Sequence, residues 1–137
     1  MRAIKFFYHT DFFLSNEKKV ADWLLAVLVN EGAEIFSIDY SFVDKKQMIK
    51  INKKHLNHNY LTDVLAFNYS EDSTIQGDVF VSEEMVRANA QEYSQSFSDE
   101  LLRVMLHGLL HLCGHNDKTP EQQNRIRGLE DKYLKLL

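Results

Sequence analysis

Residues 99–117 read DELLRVMLHGLLHLCGHND, and this stretch decides how the chain folds. Nine of its first fifteen residues are apolar, which predicts a helix that is buried on nearly every side and lies near the middle of the domain. Its one polar stripe consists of Arg103, His107 and His111, each four residues from the next. Burying imidazoles among leucines costs free energy unless a partner compensates them. The stretch therefore predicts a central helix whose histidines have a partner.

The two histidines of this stripe are spaced as metal ligands. Side chains four residues apart on a helix have Cβ atoms about 5–6 Å apart, so both rings can reach one cation at zinc–nitrogen distances of about 2.0–2.1 Å. The same spacing occurs in ordinary hydrogen-bonded histidines and is a weak signal by itself. The apolar helix and the polar turn after it favour a metal site at His107 and His111.

A third ligand is expected from the turn that follows the helix. Gly114 comes directly after the last apolar residue, where a left-handed helix stop turns the chain back toward the histidines. Asn116 is the weakest candidate because a neutral amide is a poor zinc donor. Asp117 is preferred over His115, since the residue just past a glycine stop commonly packs against the preceding turn. His115 remains the alternative.

These residue types favour hydrolysis at an open coordination position. In the helical protease motif His-Glu-x-x-His the glutamate is the general base, but Gly108 stands in its place and cannot transfer a proton. Three protein ligands leave a fourth position for water or substrate, as in catalytic zinc sites. The sequence predicts one Zn²⁺ ion at His107, His111 and Asp117, with nickel, iron and manganese left open, and metal-assisted hydrolysis or phosphoryl transfer.

The rest of the chain predicts an α+β fold. Alternating segments predict four strands, and capped segments with helical periodicity predict further helices. The predicted strands are 2–9, 34–43, 62–67 and 77–81. The predicted helix caps are Ser15, Asp44 with Gln47, Ser82, Ser98, and Thr119 with Gln122. We expect one domain over residues 1–137, with a four-stranded mixed sheet and about five helices around the central histidine-bearing one.

Composition bounds the compartment and the general class of the protein. The chain has 137 residues, of which 45% are apolar and 26% charged, as is typical of globular proteins. Its one cysteine, Cys113, excludes an internal disulfide and a cysteine-based zinc finger, and we interpret it as a core thiol. Because the sequence shows no targeting or membrane-spanning segment, we expect a cytoplasmic protein without membrane attachment. The oligomeric state is left open.

Local rather than total charge indicates nucleic-acid binding. The net charge of −4 does not favour a general polyanion binder, but five lysines and no acid lie between residues 45 and 54. Lys46, Lys50 and Lys54 are spaced to share one helical face, with Lys53 alongside. Such a row is either a solvated helix face or a face that contacts RNA phosphates. These four lysines are the candidate nucleic-acid-binding residues.

Together these motifs resemble the YbeY family of endoribonucleases. The family pattern His-Gly-x-Leu-His-Leu-x-Gly-Tyr-Asp-His is matched by residues 107–114, followed by a ligand-type residue ten positions after His107. Residues 62–65 with Phe67, and residues 77–78, match two further blocks in the same order. The resemblance implies a zinc-dependent, single-strand-specific endoribonuclease that acts in maturation of the 3′ end of small-subunit ribosomal RNA and in ribosome quality control. It also implies RNA and the small ribosomal subunit as partners, and a metal held in a cleft beside a four-stranded sheet.

Two departures from the family pattern affect this site. The family's third histidine is Asp117 in this chain, so metal affinity and preference can differ; His115 and Asn116 replace a tyrosine and an aspartate. The resemblance also implies an arginine where this chain has Leu56, and a leucine cannot clamp a phosphate. Either a nearby cation replaces that charge, or cleavage is weak and the protein acts mainly by binding. The candidate replacements are Lys53, Lys54, His55 and His58.

Two other functions compete with this interpretation. A ribosome-associated RNA-binding factor would use the metal mainly for structure, and a hydrolase of a small phosphorylated molecule would use it on another substrate. Arg103 is a further candidate as a contact to a phosphate or carboxylate, although an ion pair with Asp63 or Asp78 is its plainer interpretation. The sequence does not identify the general base.

Overall fold

Four strands and five helices make up the described part of the chain. The structure is a computed structural model that describes residues 3–56 and 62–137, and the side chains of all of these except residues 55 and 56. The elements are β1 (Ile4–Tyr8), α1 (Glu17–Asn30), β2 (Glu34–Val43), α2 (Lys45–Leu56), β3 (Val64–Asn68), β4 (Thr74–Ser82), α3 (Glu83–Glu92), α4 (Phe97–Leu112) and α5 (Pro120–Leu134). Of the helices described, none combines the length and the hydropathy that crossing a bilayer requires.

The strands form one mixed sheet in the order β1-β2-β4-β3. Strands β1, β2 and β4 run parallel, whereas β3 pairs antiparallel with β4 through a hairpin. The central strands are therefore β2 and β4, and the edges are β1 and β3. This arrangement confirms the predicted α+β fold with a four-stranded mixed sheet and five helices.

One face of the sheet, the inner face, carries the main core and the histidine-bearing helix α4. Side chains alternate along each strand, so every second residue points to this face. These buried residues are Ile38, Tyr40 and Phe42 of β2, and Val79 and Val81 of β4. The hydroxyl of Tyr40 donates to the carbonyl oxygen of Met105 at 2.9 Å, which fixes α4 against the middle of the sheet. The predicted central position of this helix is confirmed.

Helix α1 packs into the same core and reaches the end of α5. Its buried residues are those that its periodicity predicts, namely Val20, Trp23, Leu24, Val27 and Leu28, together with Ala21. Trp23 is 5% exposed, and its indole Nε1 donates to the carbonyl oxygen of Tyr133 at 2.9 Å. This bond ties α1 to the C-terminal turn of α5.

The outer face of the sheet is covered in part by α2. Met48 is fully buried, and Ile51 packs beside it. The sheet residues in this small cluster are Val43, Leu65, Phe67 and Phe80. Because Phe80 stands between the inner-face residues Val79 and Val81, strand alternation places α2 and α4 on opposite faces of the sheet.

Side-chain caps set most of the helix starts. The predicted caps that form their hydrogen bonds are Asp44 with Gln47, Ser82, and Thr119 with Gln122. The predicted cap at Ser98 is wrong, because the hydroxyl of Ser96 accepts from the N–H of Asp99 and starts α4 earlier. The predicted cap at Ser15 is also wrong, since α1 begins after Asn16.

The β3–β4 hairpin has a shorter loop than its sequence predicts. β4 begins at Thr74 rather than at residue 77, and β3 begins at Val64 rather than at residue 62. A compact turn closes the loop, in which Asp72 accepts from the N–H of Thr74 and from the hydroxyl of Ser70, both at 2.7 Å. Because polar residues continue from this turn into the start of β4, the alternation pattern does not indicate where the strand begins.

Candidate metal centre

Three ligand atoms converge beside the C-terminal half of α4. The Nε2 atoms of His107 and His111 lie 3.0 Å apart, and Oδ2 of Asp117 lies 3.2 Å from the first and 3.4 Å from the second. The two rings meet edge to face, with centroids 4.6 Å apart. The structure thus brings together the three residues that the sequence predicts as metal ligands.

The other ring nitrogens determine which atom of each imidazole can bind a cation. His107 Nδ1 lies 2.6 Å from a carboxylate oxygen of Glu130, and His111 Nδ1 lies 2.9 Å from the carbonyl oxygen of His115. Both partners only accept hydrogen bonds, so each Nδ1 donates, and Nε2 of a neutral ring keeps its lone pair. Two nitrogen lone pairs and a carboxylate oxygen therefore face one another, an arrangement that requires a cation or a proton between them.

The separations of these atoms fit a tetrahedral metal ion. With metal–ligand bonds of about 2.0–2.1 Å, the tetrahedral angle places neighbouring ligand atoms about 3.3 Å apart. The observed separations of 3.0 to 3.4 Å agree with that value. The side chains of His107, His111 and Asp117 are 25%, 29% and 39% exposed, so the fourth position would face solvent. The three residues can hold one divalent cation with an open coordination position.

A buried carboxylate on α5 positions His107. Glu130 is 4% exposed, and it accepts hydrogen bonds from His107 Nδ1 and, at 2.9 Å, from Arg103. Burial lowers the pKa of His107, but the carboxylates of Glu130 and Asp117 raise it by more, so the pKa lies above its ordinary value. Glu130 thus holds the ring electrostatically as well as sterically, as carboxylate partners of metal-binding histidines commonly do.

Arg103 supports this carboxylate and does not point into the centre as a free cation. Its second nitrogen donates to Asp131 at 2.7 Å, so both of its ion pairs are with α5. The predicted pairing with Asp63 or Asp78 is therefore wrong, because α5 packs along the polar stripe of α4. Asp78 belongs to the outer face of the sheet, since it alternates with Val79.

The turn after α4 positions His111. Gly114 adopts a left-handed conformation with φ of +99°, as the predicted helix stop requires, and the N–H of His115 donates to the carbonyl oxygen of Leu110 at 3.0 Å. The carbonyl of His115 is thereby placed to accept from His111. Burial and the neighbouring His107 lower the pKa of His111 below its ordinary value, despite Asp117.

The ring of His115 is directed away from the ligand cluster. Its Nε2 lies 2.6 Å from Glu31 at the end of α1, and the hydroxyl of Tyr133 donates to the other oxygen of the same carboxylate. Since His115 is committed to Glu31, Asp117 is the residue of the turn that reaches the two histidines. This geometry supports the predicted preference between the two candidates.

Gly108 allows α4 to lie close to the sheet. A Cβ atom at this position would be 2.7 Å from a methyl group of Val79 and 3.2 Å from one of Val64. The close neighbours of this glycine are thus side chains of β4 and β3. The contact sets the depth of His107, the preceding residue, relative to the sheet.

Another carboxyl group, that of the partly buried Asp63, lies near the centre just before β3. It accepts from the side-chain amide of Asn89 at 3.1 Å. Burial raises the pKa of Asp63, and the imidazole of His107 and several hydrogen bonds lower it by less, so the net pKa is raised. A further carboxyl group with a raised pKa therefore lies near His107, in addition to Asp117 and Glu130.

The supporting carboxylates are the functional residues that the sequence does not single out. Glu31 is separated from His115 by 84 positions, and no local pattern marks it. Glu130 does carry a signal, because it shares a helical stripe with Ile126 and Tyr133, which are both buried. An acid within an apolar stripe indicates a buried polar partner.

Cys113 is not among the ligand atoms of the described cluster. It is partly buried at the margin of the core, which agrees in part with its prediction as a core thiol. Burial raises the pKa of the thiol to about 12, and the carboxylate of Glu31 contributes in the same direction. A protonated, half-covered thiol fits a packing role.

The candidate nucleic-acid-binding lysines lie away from the metal centre. Lys46, Lys50, Lys53 and Lys54 are exposed on α2, which packs on the outer face. The side chains of His55 and Leu56, and all of His58, lie outside the described residues. The structure therefore does not bring the lysines and the histidines into one cluster.

Comparison with known proteins identifies the family. The family model described as Endoribonuclease YbeY matches residues 9–137. The chain is 44% identical over 131 residues to the endoribonuclease YbeY of Flavobacterium johnsoniae, which covers 96% of this chain and 94% of the relative. It is 41% identical over 133 residues to that of Flavobacterium psychrophilum, with 97% and 95% covered. A protein from Thermotoga maritima, known from a solution structure, has the same fold with a TM-score of 0.68 and 22% identity over 95% of this chain and 85% of that chain. The chain therefore belongs to the YbeY endoribonuclease family.

Proposed function

We propose that the chain is a metal-dependent endoribonuclease that cleaves single-stranded RNA at the centre formed by His107, His111 and Asp117. The observation that carries this proposal is the convergence of three lone-pair atoms, 3.0 to 3.4 Å apart, on an open side of the fold. The names of the relatives, which are endoribonucleases, supply the reaction class. A divalent cation suits this class because the substrate and the transition state are anionic.

The proposed cofactor is one zinc ion. Such an ion, when bound, acts as a Lewis acid toward a phosphodiester oxygen or toward water. His107 and His111 would hold it through Nε2, since their Nδ1 atoms are committed to Glu130 and to a backbone carbonyl. Asp117 adds a negative charge, which leaves the loaded site with about +1 rather than the +2 of a three-histidine site. Buried Glu130 would orient the imidazole of His107 so that its Nε2 faces the ion.

The proposed biological substrate is ribosomal RNA of the small subunit. Membership of the YbeY family supports a role in maturation of the 3′ end of that RNA and in ribosome quality control. The small ribosomal subunit would then be the partner, and the protein would act in the cytoplasm as one domain over residues 1–137. The proposal of RNA as the substrate class rests on the endoribonuclease names of the relatives and does not depend on which position of the RNA is cleaved.

Variants of two ligands test the proposal. Asp117→Ala and His111→Ala proteins are compared with wild type for bound zinc, by elemental analysis, and for cleavage of a single-stranded RNA. We expect wild type to bind about one ion per chain and to cleave, and both variants to lose ion and cleavage while keeping their circular dichroism spectra. His9→Ala is a matched control, since His9 is exposed and outside the cluster. Full cleavage by zinc-free Asp117→Ala protein would refute the proposal.

Chelation separates this function from the competing ones. A mainly structural metal would make the protein unfold when it is removed. We expect the chelated protein to stay folded and to lose cleavage, because the large core on the inner face does not include the ligand cluster.

The salt dependence of substrate binding distinguishes RNA from a small substrate. A small-molecule hydrolase would bind its substrate with weak salt dependence, whereas RNA binding weakens steeply with salt because counterions are released.

Single alanine variants test which cation compensates for Leu56. Lys53, Lys54, His55 and His58 are each replaced, and cleavage of single-stranded RNA is measured. A phosphate contact that replaces the implied arginine should lower the rate in at least one of them by about tenfold. Unaltered rates in all four would leave binding, rather than rapid cleavage, as the main activity.

A further inference from the structure

We propose that the exposed lysine face of α2 is an anchoring surface for RNA that is separate from the metal centre. This lysine face consists of Lys46, Lys50, Lys53 and Lys54. It would bind backbone phosphates of an RNA segment several nucleotides away from the scissile bond. The inference rests on the proposed function, because it concerns how the same substrate is held.

The lysine face is a concentration of positive charge with few protein counter-ions. Helix α2 carries five lysines and no acidic residue. Among the ion pairs within residues 3–56 and 62–137, α2 contributes only Lys45, which lies 4.0 Å from Glu84. The net charge of the whole chain is −4, so this cluster runs against the overall balance. One-sign charge gathered on a single helix attracts a polyanion.

The packing of α2 fixes the direction in which these lysines project. Met48 and Ile51 pack into the outer-face cluster, and the capping box of Asp44 and Gln47 fixes the start of the helix. The lysines therefore face solvent from a rigid element. The eight positions between the first and the last lysine correspond to about 12 Å of helix. A stacked strand advances by about 3.4 Å per nucleotide along its axis, so the face spans the rise of about four nucleotides.

The first two members of the lysine face, Lys46 and Lys50, are separated from the metal centre by the thickness of the sheet. Packed layers lie about 10 Å apart, so the axes of α2 and α4, on opposite faces of the sheet, are separated by about 20 Å. At about 3.4 Å per stacked nucleotide, an RNA strand needs about six nucleotides to cover this distance. A stacked tetranucleotide cut at the metal centre is therefore too short to reach Lys46 and Lys50 as well.

Strand β3 provides the path between the two surfaces. It is an edge of the sheet, so a strand of RNA can pass around it. Val64 at its start packs close to Gly108 of the histidine helix, whereas the next residue, Leu65, belongs to the cluster under α2. Successive residues of this edge strand thus contact the two helices, α4 on the inner face and α2 on the outer face.

Charge removal at the far end of the lysine face tests this inference. Lys46→Ala/Lys50→Ala is used because Lys53 and Lys54 are also candidates to replace the implied arginine. The matched control is Lys18→Ala/Lys19→Ala, which removes two exposed lysines from α1 with the same change in net charge. For each protein kcat/KM is measured on a tetranucleotide and on a single-stranded RNA of about 30 nucleotides, long enough to span both surfaces. The dissociation constant of the longer RNA is measured as a function of salt.

We expect the ratio of kcat/KM for the long RNA to that for the tetranucleotide to fall by about tenfold in the α2 variant and to stay within about twofold in the control. The slope of log affinity against log salt should become shallower by about 1.4, since each phosphate contact to a single strand contributes about 0.7. An unchanged ratio and slope would overturn the inference. Equal losses on both substrates would also overturn it, because the lysines would then belong to the cleavage centre.

Failure of the proposed function gives a different result. If wild type cleaves neither RNA, the nuclease proposal fails, and the salt slope alone decides about the lysine face. A shallower slope in the α2 variant but not in the α1 control would still establish an RNA-binding surface. Equal slopes in all three proteins would exclude it.

Discussion

The two histidines of the candidate centre are held by supports of different kinds. His107 is held by Glu130, a buried side chain that carries charge, whereas His111 is held by the backbone carbonyl of His115 in a turn. The pKa values differ accordingly: the carboxylates raise that of His107, and burial with a neighbouring imidazole lowers that of His111. One support can be removed by changing a single carboxylate, but the other depends on the path of the chain. The comparison predicts unequal sensitivity to mutation.

Replacing the Glu130 carboxylate, which holds His107, should have the largest effect. Glu130→Gln keeps the size of the side chain but cannot serve as a charged acceptor for both His107 and Arg103. We expect metal affinity to fall by about 10- to 100-fold, the usual effect of losing a partner that orients a metal-binding histidine. Competition with a chromophoric chelator measures this change. Unaltered affinity would show that His107 is positioned by packing alone.

Straining the turn that holds His111 should have the next largest effect. Gly114 has φ of +99° with open space around it, so Gly114→Ala should cost about 1–2 kcal/mol in the free energy of unfolding for conformational reasons alone. Urea titration measures that cost. Gly128→Ala is the matched control, since this helical glycine also has open space and its replacement should stabilise the protein by about 1 kcal/mol. If both variants shift stability in the same direction, the left-handed turn is not the cause.

Weakening the side-chain contacts of Glu31, which hold the same turn, should have a smaller effect. Burial raises the pKa of Glu31, but the bonds from Tyr133 and His115 lower it by more, so this carboxylate is charged and engaged. We expect Glu31→Gln to reduce metal affinity by about three- to tenfold, because backbone bonds still hold the turn. Tyr133→Phe, which leaves the contact of Glu31 with His115, should change it less. A loss as large as that of Glu130→Gln would contradict the proposed difference between the supports.

The smallest effect is expected at the exposed partner of Arg103. Asp131 is 55% exposed, and exposed ion pairs contribute little. Asp131→Asn should leave metal affinity within about twofold of wild type in the same chelator competition. This isosteric change also controls for Glu130→Gln. Should both variants lose affinity equally, the anchoring of Arg103 rather than the Glu130 carboxylate would be the decisive feature.

Much of the fold follows from local patterns in the sequence. Strand β2 has the predicted bounds, and the capping boxes of α2 and α5 form because each depends on residues three positions apart. The cap at Ser98 fails for the same local reason, since Ser96 offers the identical chemistry two residues earlier. The predicted start of β4 fails because Thr74 and Gln76, which flank the buried Ile75, are as polar as the turn residues before them.

The candidate site divides along the same line. His107, His111 and Asp117 lie within eleven consecutive positions, so helical spacing and a glycine stop suffice to group them. Glu31 joins the site only through tertiary packing, and the apolar stripe around Glu130 indicates burial of this acid but not which residue it meets. The partners of Arg103 were beyond local reasoning for that reason. Tertiary packing, rather than residue chemistry, limits what the sequence reveals.

The contact between Trp23 and α5 makes the protein its own optical probe. The chain has one tryptophan, and its buried indole is bonded to the carbonyl of Tyr133, three residues after Glu130. Detachment of this helix end would expose the indole to water and shift its emission to longer wavelengths. Intrinsic fluorescence can therefore follow the docking of the helix that supports the first histidine, without any attached label.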